Sequence, residues 1–471
     1  MKNLILAWRN LWRNRRRTLI TSASVLFAVF FALFFRSLQL GSYDHMYKNV
    51  IESYTGYIQI QQKDFWDEKT VDNTFADDQS LEKQVLADEN VVATVPRFES
   101  FALASSGPNT KGVLVMGIDP EKEGLLSNVT DKKVKYRLTP QTVDQISRDP
   151  KIPEQVKELA TLFKNAAYTN ASRLQLDLKI KDKEAAELMP LIEGYSSIQN
   201  GSIHMGEPGA WVGDELAQYL QLGIGDTLVL ISQGYHATTA AGKYAIRGIV
   251  KLPLPDMDNK IVYLPLDICQ SLFNAENNLT SLALSVKDTD DKSIEQTMQR
   301  IRSWIPDNLT VMEWREMNEV MVSQMDADNK SGMIMIGILY LVIAFGVFGT
   351  VLMLTAERRR EFGVLVAIGM QKKKLASIMS LEMLLIGLLG ILGGAAVATV
   401  VILYGVDHPI VFKGEMAKMF EDYGFEPKMA FWGIDTYYIW QMVIVALMVL
   451  LALFYPLRKI FGLNVVNALR A

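Results

Sequence analysis

The chain contains four segments in which apolar residues continue for the length of a membrane-crossing helix. These segments are residues 18–40, 331–355, 376–404 and 438–456. A helix needs about 20 mostly apolar residues to cross the roughly 30 Å hydrocarbon core of a bilayer. The pattern therefore predicts four transmembrane helices. The first has too long an apolar core for a signal peptide, so we expect it to remain uncleaved, with Arg36 extending to the far headgroups.

Residues 41–330, between the first two apolar segments, alternate strand and helix patterns. Runs rich in β-branched and aromatic residues predict strands at 56–61, 111–118, 226–232, 244–250, 259–265 and 281–286. Helical periodicity occurs at 81–89, 140–168, 214–222, 265–273 and 293–305. We therefore expect a large α+β domain, with a charged, strand-poor subdomain at about 120–200 inserted into it.

Residues 1–17 have the pattern of an amphipathic helix. Apolar residues recur at helical spacing opposite polar and basic ones; the apolar set is Leu4, Ala7, Trp8, Leu11 and Trp12. Such a helix lies in the membrane interface. We assign Trp8, Arg9, Leu11 and Trp12 to a membrane elbow that braces the transmembrane helices. The alternative is that the basic charge of the segment only sets the topology.

The segment 356–375, AERRREFGVLVAIGMQKKKL, joins the second and third apolar segments and is basic at both ends. Phe362, Val366, Gly369 and Met370 share one helical face, next to Leu365. A short amphipathic helix of this kind can lie on anionic headgroups, or its apolar face can bind a cleft on a soluble partner. Composition favours the first interpretation and leaves the second open.

Charge is distributed unevenly along the chain. Residues 41–330 contain 29 basic and 43 acidic residues, whereas the remainder contains 19 basic and 9 acidic residues. Basic residues mark the cytoplasmic side of membrane spans, so we place residues 1–17, the 356–375 loop and the tail 457–471 in the cytoplasm. Residues 41–330 and the acidic loop 405–437 then lie outside. The predicted fold is an α-helical membrane protein with four transmembrane helices and a large α+β extracytoplasmic domain inserted between the first and second spans.

Residues that carry catalysis or bind metals are sparse and scattered. The lone Cys269 excludes an intrachain disulfide, and we expect it to be buried. The four histidines, His45, His204, His236 and His408, lack the spacing of metal ligands. Residues 234–244, GYHATTAAGKY, differ from a phosphate-binding loop in glycine spacing and in Tyr244, which stands where Ser or Thr would bind magnesium. The sequence thus predicts no catalytic, metal, cofactor or nucleic-acid site on this chain.

Segment 356–375 resembles the loop after the second transmembrane helix in permeases of the MacB, FtsX and LolC/LolE superfamily, which reads like E-R-x-R-E-[IF]-G-x-x-x-A-[IL]-G. The matching residues are Glu357, Arg358, Arg360, Glu361, Phe362, Gly363, Ala367, Ile368 and Gly369. The likeness continues in LILAWRNLWRNRRRTLIT (the elbow), WVGDELAQYLQLGIGDTLVL (the outer domain), SLEMLLIGLLGILGG (the third span) and YPLRKIFGLNVVNALRA (the tail). Two positions depart: Tyr57 stands where His is common, and Val465 where Pro is often found.

This resemblance, closest to LolE-like members, implies the permease subunit of an ABC transporter in the bacterial inner membrane, with its large domain in the periplasm. Such permeases pair with a second permease subunit, identical or paralogous, and with two copies of a separate ATPase, which binds the ATP and magnesium. ATP binding and release move the cytoplasmic loop, and the helices transmit this motion outward. The resemblance implies an ATPase-coupling role for Glu357, Arg358, Arg360, Glu361, Phe362, Gly363, Ala367, Gly369 and Met370.

Three functions remain open within this superfamily. The favoured one is movement of a lipidated or amphipathic cargo, such as lipoprotein release in LolC and LolE. It predicts an apolar cavity against the dimer mate, lined by Phe27, Phe31, Phe34, Phe35, Met333, Met335, Ile338 and Leu341; otherwise these residues face lipid. The alternatives are FtsX-like signalling to a cell-wall hydrolase and MacB-like tripartite efflux with a periplasmic adaptor.

Two features of the third apolar segment have more than one interpretation. Glu382 lies near the cytoplasmic end of this segment. It either makes a structural hydrogen bond or takes part in coupling. Gly390 and Gly394 form a small-xxx-small pair that permits close helix packing. That packing occurs either within the chain or between two chains.

Overall fold

The computed structural model describes residues 2–13, 15–127, 129–412, 415–422 and 428–464. They form two compact units. The helical unit comprises the described residues up to His45, Met321–Val411, and those from Lys428 onward. The sheet unit comprises Met46–Val320 and the described residues between 412 and 427. Each unit has its own hydrophobic core.

The α-helices of the described chain are numbered here in chain order. They are α1 (Lys2–Arg13), α2 (Arg15–Val50), α3 (Gln79–Leu86), α4 (Pro120–Glu123), α5 (Pro140–Arg148), α6 (Glu154–Leu162), α7 (Ala171–Asp177), α8 (Asp182–Ser196), α9 (Asp214–Leu220), α10 (Pro255–Asp258), α11 (Leu266–Leu272), α12 (Asp291–Arg302), α13 (Trp314–Met317), α14 (Glu319–Glu357), α15 (Arg359–Ala367), α16 (Lys372–Asp407), α17 (Glu415–Asp422), α18 (Thr436–Ala452) and α19 (Phe454–Phe461). A π-helical turn at Ile51–Thr55 follows α2, and 3₁₀ turns occur at Val129–Lys132 and Tyr235–Ala237.

The strands are numbered in the same way. They are β1 (Ile58–Gln62), β2 (Phe75–Ala76), β3 (Val91–Ser106), β4 (Asn109–Ile118), β5 (Tyr136–Arg137), β6 (Ala167–Tyr168), β7 (Gly209–Gly213), β8 (Thr227–Gln233), β9 (Thr239–Val250), β10 (Ile261–Pro265), β11 (Asn278–Leu279), β12 (Ser281–Val286), β13 (Leu309–Glu313), β14 (Ile410–Val411) and β15 (Lys428–Met429).

Four helical stretches are long and apolar enough to cross a membrane. They are Thr18–Val50, Glu319–Glu357, Lys372–Asp407 and Thr436–Phe461. Each contains one of the four apolar segments of the sequence. The first two continue well beyond those segments, because helix-forming polar residues follow the apolar run of α2 and precede that of α14.

Arg36, which the sequence predicts to extend toward the far headgroups, makes two side-chain hydrogen bonds within the helical unit. Its Nη1 donates to Gln39 Oε1 at 2.8 Å and to Asn329 Oδ1 of α14 at 2.7 Å. Two turns further along α2, the Tyr43 hydroxyl donates to Asp328 Oδ2. These polar contacts join α2 to α14 where both helices become less apolar.

Six strands of the sheet unit close into a ring. The order is β3, β4, β10, β7, β9 and β8, and β8 pairs back onto β3, with Leu103 opposite Ile231. The β4–β10 and β7–β9 pairs are parallel, and the other pairs of the ring are antiparallel. Strands β12, β1 and β13 extend the sheet from the first half of β3. Because the ring closes, none of its strands is a free edge along its whole length.

Residues 138–192 of the sheet unit have a core of their own. It includes Leu138, Ile146, Ala160, Leu174 and Ile192, all fully buried. Helices α5–α8 contribute most of it, and the two-stranded β5–β6 pair closes one end. This segment lies within residues 120–200, the strand-poor region that the sequence predicts to be an insertion.

Candidate functional site at the connection between α14 and α16

Helix α15 and a tight turn connect the second and third long helices of the helical unit. Arg358 precedes α15, and Ile368 closes it. Gly369 then adopts a φ of +101°, the left-handed region that favours glycine. The Gly369 N–H donates to the Val366 carbonyl at 3.1 Å and the Met370 N–H to the Leu365 carbonyl at 3.0 Å. These two bonds form a Schellman motif, which ends α15 and lets α16 begin at Lys372.

An alternating row of charges joins three helices at this connection. The Arg13 side chain of α1 donates to Glu361 of α15, with Nη2 3.2 Å from Oε2. Arg358 Nε lies 3.3 Å from the same Glu361 oxygen. Arg358 Nη1 donates to both carboxylate oxygens of Glu382 in α16, each at 2.7 Å. The row therefore runs Arg13, Glu361, Arg358, Glu382 and links α1, α15 and α16.

Burial divides this row into two halves. The side chains of Arg358 and Glu382 are each 9% exposed, whereas those of Arg13 and Glu361 are 59% and 50% exposed. Burial alone would lower the pKa of the Arg358 guanidinium, but the charge and hydrogen bonds of Glu382 and Glu361 raise it above its ordinary value. Arg358 is therefore a permanent cation, and the structural hydrogen bond considered for Glu382 is present.

The apolar face of α15 contacts the chain's own helices. Phe362 is 3% exposed, and Leu365, Val366 and Met370 pack beside it against the core of the helical unit. The hypothesis that this face is offered to a partner is therefore wrong for Phe362, which the chain's own helices cover. Leu365, Val366 and Met370 are half-buried against the same core, and Gly369 remains exposed. Periodicity identifies an apolar face but does not say which surface covers it.

A different face of α15 is exposed. Glu357, Arg360, Glu361, Ala367 and Gly369 are exposed members of the predicted coupling set, and Arg358, Phe362 and Gly363 are buried. Val364 and Ile368 are apolar and yet 44% and 76% exposed. Arg360, Val364, Ala367 and Ile368 recur at helical spacing, so they form one outward stripe of α15, which we call the outer stripe.

The outer stripe lies beside an open cavity of about 700 Å³. Its charged lining comes from both ion pairs of the row and from two further exposed residues: Arg13, Glu357, Arg358, Arg360, Glu361 and Glu382. Its apolar lining includes Leu6, Leu375, Ile378 and Met379. The cavity is thus bounded by α1, α15 and α16 together.

The elbow residues lie on two sides of α1. Leu11 is 1% exposed and packs in the core of the helical unit, one turn after the fully buried Ala7. Trp8 and Trp12 are 44% and 52% exposed and form an edge-to-face pair with ring centroids 6.0 Å apart. Arg9 is exposed. The buried stripe is therefore narrower than the predicted apolar face, and the tryptophans remain available to an interface.

The glycines of α16 pack within the chain. A Cβ on Gly390 would lie 2.6 Å from Val25 Cβ, and one on Gly394 would lie 2.5 Å from the Leu26 carbonyl oxygen. Both neighbours belong to α2. Of the two interpretations of this glycine pair, the structure shows the intrachain one.

The residues proposed for a cargo cavity are mostly on the outside of the helical unit. Phe27, Phe31 and Phe35 form a stacked ladder along α2 and are 56%, 38% and 48% exposed. Met333, Met335, Ile338 and Leu341 of α14 are 51–74% exposed. Phe34 differs, since its ring packs against Phe431 with centroids 5.5 Å apart, inside the helical unit. It therefore does not belong to the exposed ladder.

Among the described residues, no group of three or more His, Cys, Asp or Glu side chains is arranged to hold a metal ion. Cys269 is fully buried in the sheet core, and burial raises the pKa of its thiol.

Arg13 is the residue of the charge row that sequence reasoning missed at this site. Arg13 is one of six basic residues in segment 1–17, and these were interpreted only as a topology signal. Nothing in the sequence pattern indicated that Glu361 would lie beside it.

Comparison with known proteins adds an independent line of evidence. Residues 333–465 match the family described as FtsX-like permease C-terminal. An uncharacterized ABC transporter permease of Methanocaldococcus jannaschii is 23% identical over 238 residues, which are 48% of this chain and 55% of that relative. The alignment thus spans about half of the length of the curated relative.

Two solved structures show weaker likeness. One is the extracellular domain of the noncanonic ABC-type transporter YknZ from Gram-positive bacteria, with 10% identity, 55% of this chain and 100% of that chain covered, and a TM-score of 0.28. The other is the periplasmic region of MacB from Actinobacillus actinomycetemcomitans, with 9% identity, 58% and 96% covered, and a TM-score of 0.30. Scores at this level do not establish a shared fold. From the sequence matches, residues 333–465 are similar to the FtsX-like permease C-terminal domain, and about half of the chain is similar to an ABC transporter permease.

Proposed function

We propose that this chain is the permease subunit of an ABC transporter whose ATPase is a separate protein that docks on the outer stripe of α15. The observation that carries the proposal is the exposure of Val364 and Ile368 on a short helix whose opposite face is buried. An apolar pair flanked by Arg360 and Glu361 has the composition of a small protein-binding surface. ATP and magnesium would bind the partner and not this chain.

The same proposal gives the topology and the working cycle. The basic flanks of α1 and α15 favour a cytoplasmic location for both termini and for α15. The resemblance to bacterial permeases implies that the membrane is the inner membrane of a bacterium. The sheet unit would then lie in the periplasm. ATP-driven movement of α15 would be passed through the long helices of a dimer of permease subunits, identical or paralogous.

For the cargo, the exposed aromatic ladder of α2 favours a lipidated or amphipathic molecule, of which a lipoprotein is one. Phenylalanine rings and the methionines of α14 present apolar, adaptable surface with no charge among them. Signalling to a cell-wall hydrolase or efflux with a periplasmic adaptor is equally compatible with the family. Accumulation of lipoproteins in the inner membrane on depletion of this chain would favour the first function, and its absence would favour the others.

The docking surface is tested by Ile368→Glu. A carboxylate at the most exposed apolar position of the outer stripe would be desolvated by a bound partner, so we expect the ATPase that co-purifies with the wild-type chain to be lost by about tenfold or more. The amount of co-purified ATPase, identified by mass spectrometry, and the ATPase activity of the purified complex are the measurements.

Val320→Glu is the matched control, since Val320 is also apolar and 83% exposed but belongs to the sheet unit. It should retain the ATPase. Equal retention by both variants would show that the outer stripe is not the docking surface.

A further inference from the structure

We propose that the buried ion pair between Arg358 and Glu382 is a positioning element that fixes α15 to α16, so that the two helices move as one body. Neither residue belongs to the outer stripe; both side chains are 9% exposed and form part of the wall of the cavity beside it. The consequence for coupling rests on the proposed function, but the positioning itself does not.

The geometry of the pair is specific. Arg358 lies at the entrance of α15, and Glu382 lies within α16, 24 residues later. One guanidinium nitrogen reaches both carboxylate oxygens at 2.7 Å, and Nε of the same group lies 3.3 Å from Glu361. The arginine cation also lies 5.7 Å from the centroid of the Phe362 ring. The guanidinium is thus held from three sides, by a residue of α16 and two of α15.

Stability alone is a poor reason for such a pair. Two buried charges lose their hydration, and an apolar pair of similar volume is often as stable or more stable. An apolar pair does not fix the register between two helices, because apolar contacts remain favourable when one helix slides along the other. A charge pair with short hydrogen bonds holds one register, since any slip leaves a buried charge without its partner.

The second ion pair of α15 does not have this property. Arg13 and Glu361 are 59% and 50% exposed, so water replaces either partner at little cost. Helix α15 is therefore fixed to α16 by the buried pair, while its contact with α1 can open and close. The two pairs offer a matched comparison within one helix.

The experiment measures hydrogen exchange of the α15 amides in the full-length chain, purified in detergent, without any ATPase. The variants are Arg358→Gln, Glu382→Gln and the apolar double variant Arg358→Met with Glu382→Leu, with Arg13→Gln as the control. We expect both single variants and the double variant to exchange at least about tenfold faster across Arg359–Ala367. The control should exchange like the wild type.

The double variant separates positioning from stability. Because it leaves no buried charge unpaired, we expect its thermal unfolding temperature to return to the wild-type value while α15 still exchanges quickly. Exchange at the wild-type rate in the double variant would overturn the inference, since the pair would then only fill space.

A second measurement asks whether positioning matters for coupling. In the complex with the co-purified ATPase, the double variant should retain the bound ATPase and lose the stimulation of its activity. The exchange result decides the positioning inference even if no ATPase co-purifies with the wild-type chain, an outcome that would overturn the proposed function alone.

Discussion

Single residues of the sheet unit also have consequences that can be measured, and Asp258 is the clearest. Its side chain is buried at the end of α10, where Oδ1 accepts from the Leu252 N–H at 2.7 Å and Oδ2 from the Glu215 N–H at 2.8 Å. Burial raises its pKa to about 6, against the lowering effects of these two hydrogen bonds and of Lys251 and Arg137. The folded chain therefore binds this proton more tightly than the unfolded chain, where an aspartate has a pKa of about 3.9.

The expected result is a loss of stability as pH rises. Between about pH 4 and pH 6 the folded state holds more protons at Asp258 than the unfolded state, so the contribution of this residue to the free energy of unfolding falls over that range. Relative to an Asp258→Asn variant, the wild type should lose on the order of 2 kcal/mol between pH 4 and pH 7. Urea unfolding of the full chain, followed through the sheet-unit amides, measures this difference.

Asp256→Asn serves as the control, because Asp256 belongs to the same short helix and its side chain is 69% exposed. Its stability should follow the wild type at every pH. Parallel curves for wild type and Asp258→Asn would show that the buried carboxyl does not titrate in this range.

At the residue scale the sequence predicts some roles and misses others for definite reasons. Gly369 was placed on a helical face by its spacing, whereas in the structure it ends α15 with a positive φ. Periodicity does not take account of the preference of glycine for helix ends. The burial of Cys269 was expected and is found. The contact between Arg358 and Glu382 was not predicted, although both residues stood out. This contact depends on the angle at which α15 packs against α16, and neither periodicity nor charge distribution predicts that angle.

At the scale of elements, the close packing of α16 on α2 gives a direct test. A Cβ at Gly390 would lie 2.6 Å from Val25 Cβ and 2.8 Å from the Ser22 carbonyl oxygen, so Gly390→Ala forces the two helices apart. Overpacking of this kind costs about 1–3 kcal/mol. We expect a lower thermal unfolding temperature in detergent.

Gly346→Ala is the comparison, because nothing lies within 4 Å of a Cβ at that exposed position of α14. Alanine there should be neutral or stabilising by about 0.5–1 kcal/mol, since it favours the helix. If Gly390→Ala were as stable as Gly346→Ala, the α2–α16 packing described here would be incorrect.

Six strands with a strong apolar run were predicted, whereas β3, which polar residues and a proline interrupt, and the shorter β7 and β13 were missed. The run at 281–286 coincides with β12, and the other five predicted strands overlap observed ones. Strand β3 was missed because Pro96, Arg97 and Glu99 interrupt its pattern. Pro96 lies in the half of β3 that pairs with β12 and not yet with β4, and a missing N–H is tolerated where a strand has one partner. Arg97 is accepted because it pairs with the buried Glu123.

At the scale of the whole molecule, the exposed apolar surfaces of α2 and α14 contact a second permease subunit, cargo or lipid, and substitutions distinguish these cases. Phe31→Asp and Ile338→Asp each place a charge on this surface. If it faces a second permease subunit or cargo, both variants should lose dimer formation or cargo release. Chemical cross-linking in membranes and an assay of cargo release are the measurements.

Val400→Asp controls for the general cost of a charge in a membrane span, which is several kcal/mol at the bilayer centre. Val400 is 70% exposed and belongs to a different helix, α16. Variants at Phe31 and Ile338 that assemble and release cargo as well as the Val400 variant would show that the aromatic ladder only faces lipid.

The pairing order of the sheet has a consequence for how the chain acquires its fold. Strand β1 is made first, yet both of its partners, β12 and β13, come at the far end of the sheet-unit sequence. Strand β3 likewise waits for β8 and β12 after its hairpin with β4 has formed. Folding dominated by such distant pairings is slow, because the entropy of loop closure is lost before the stabilising contacts form. During synthesis the strand Ile58–Gln62, whose Ile58 and Ile60 side chains are fully buried in the folded unit, therefore remains unpaired until nearly the whole unit has been made.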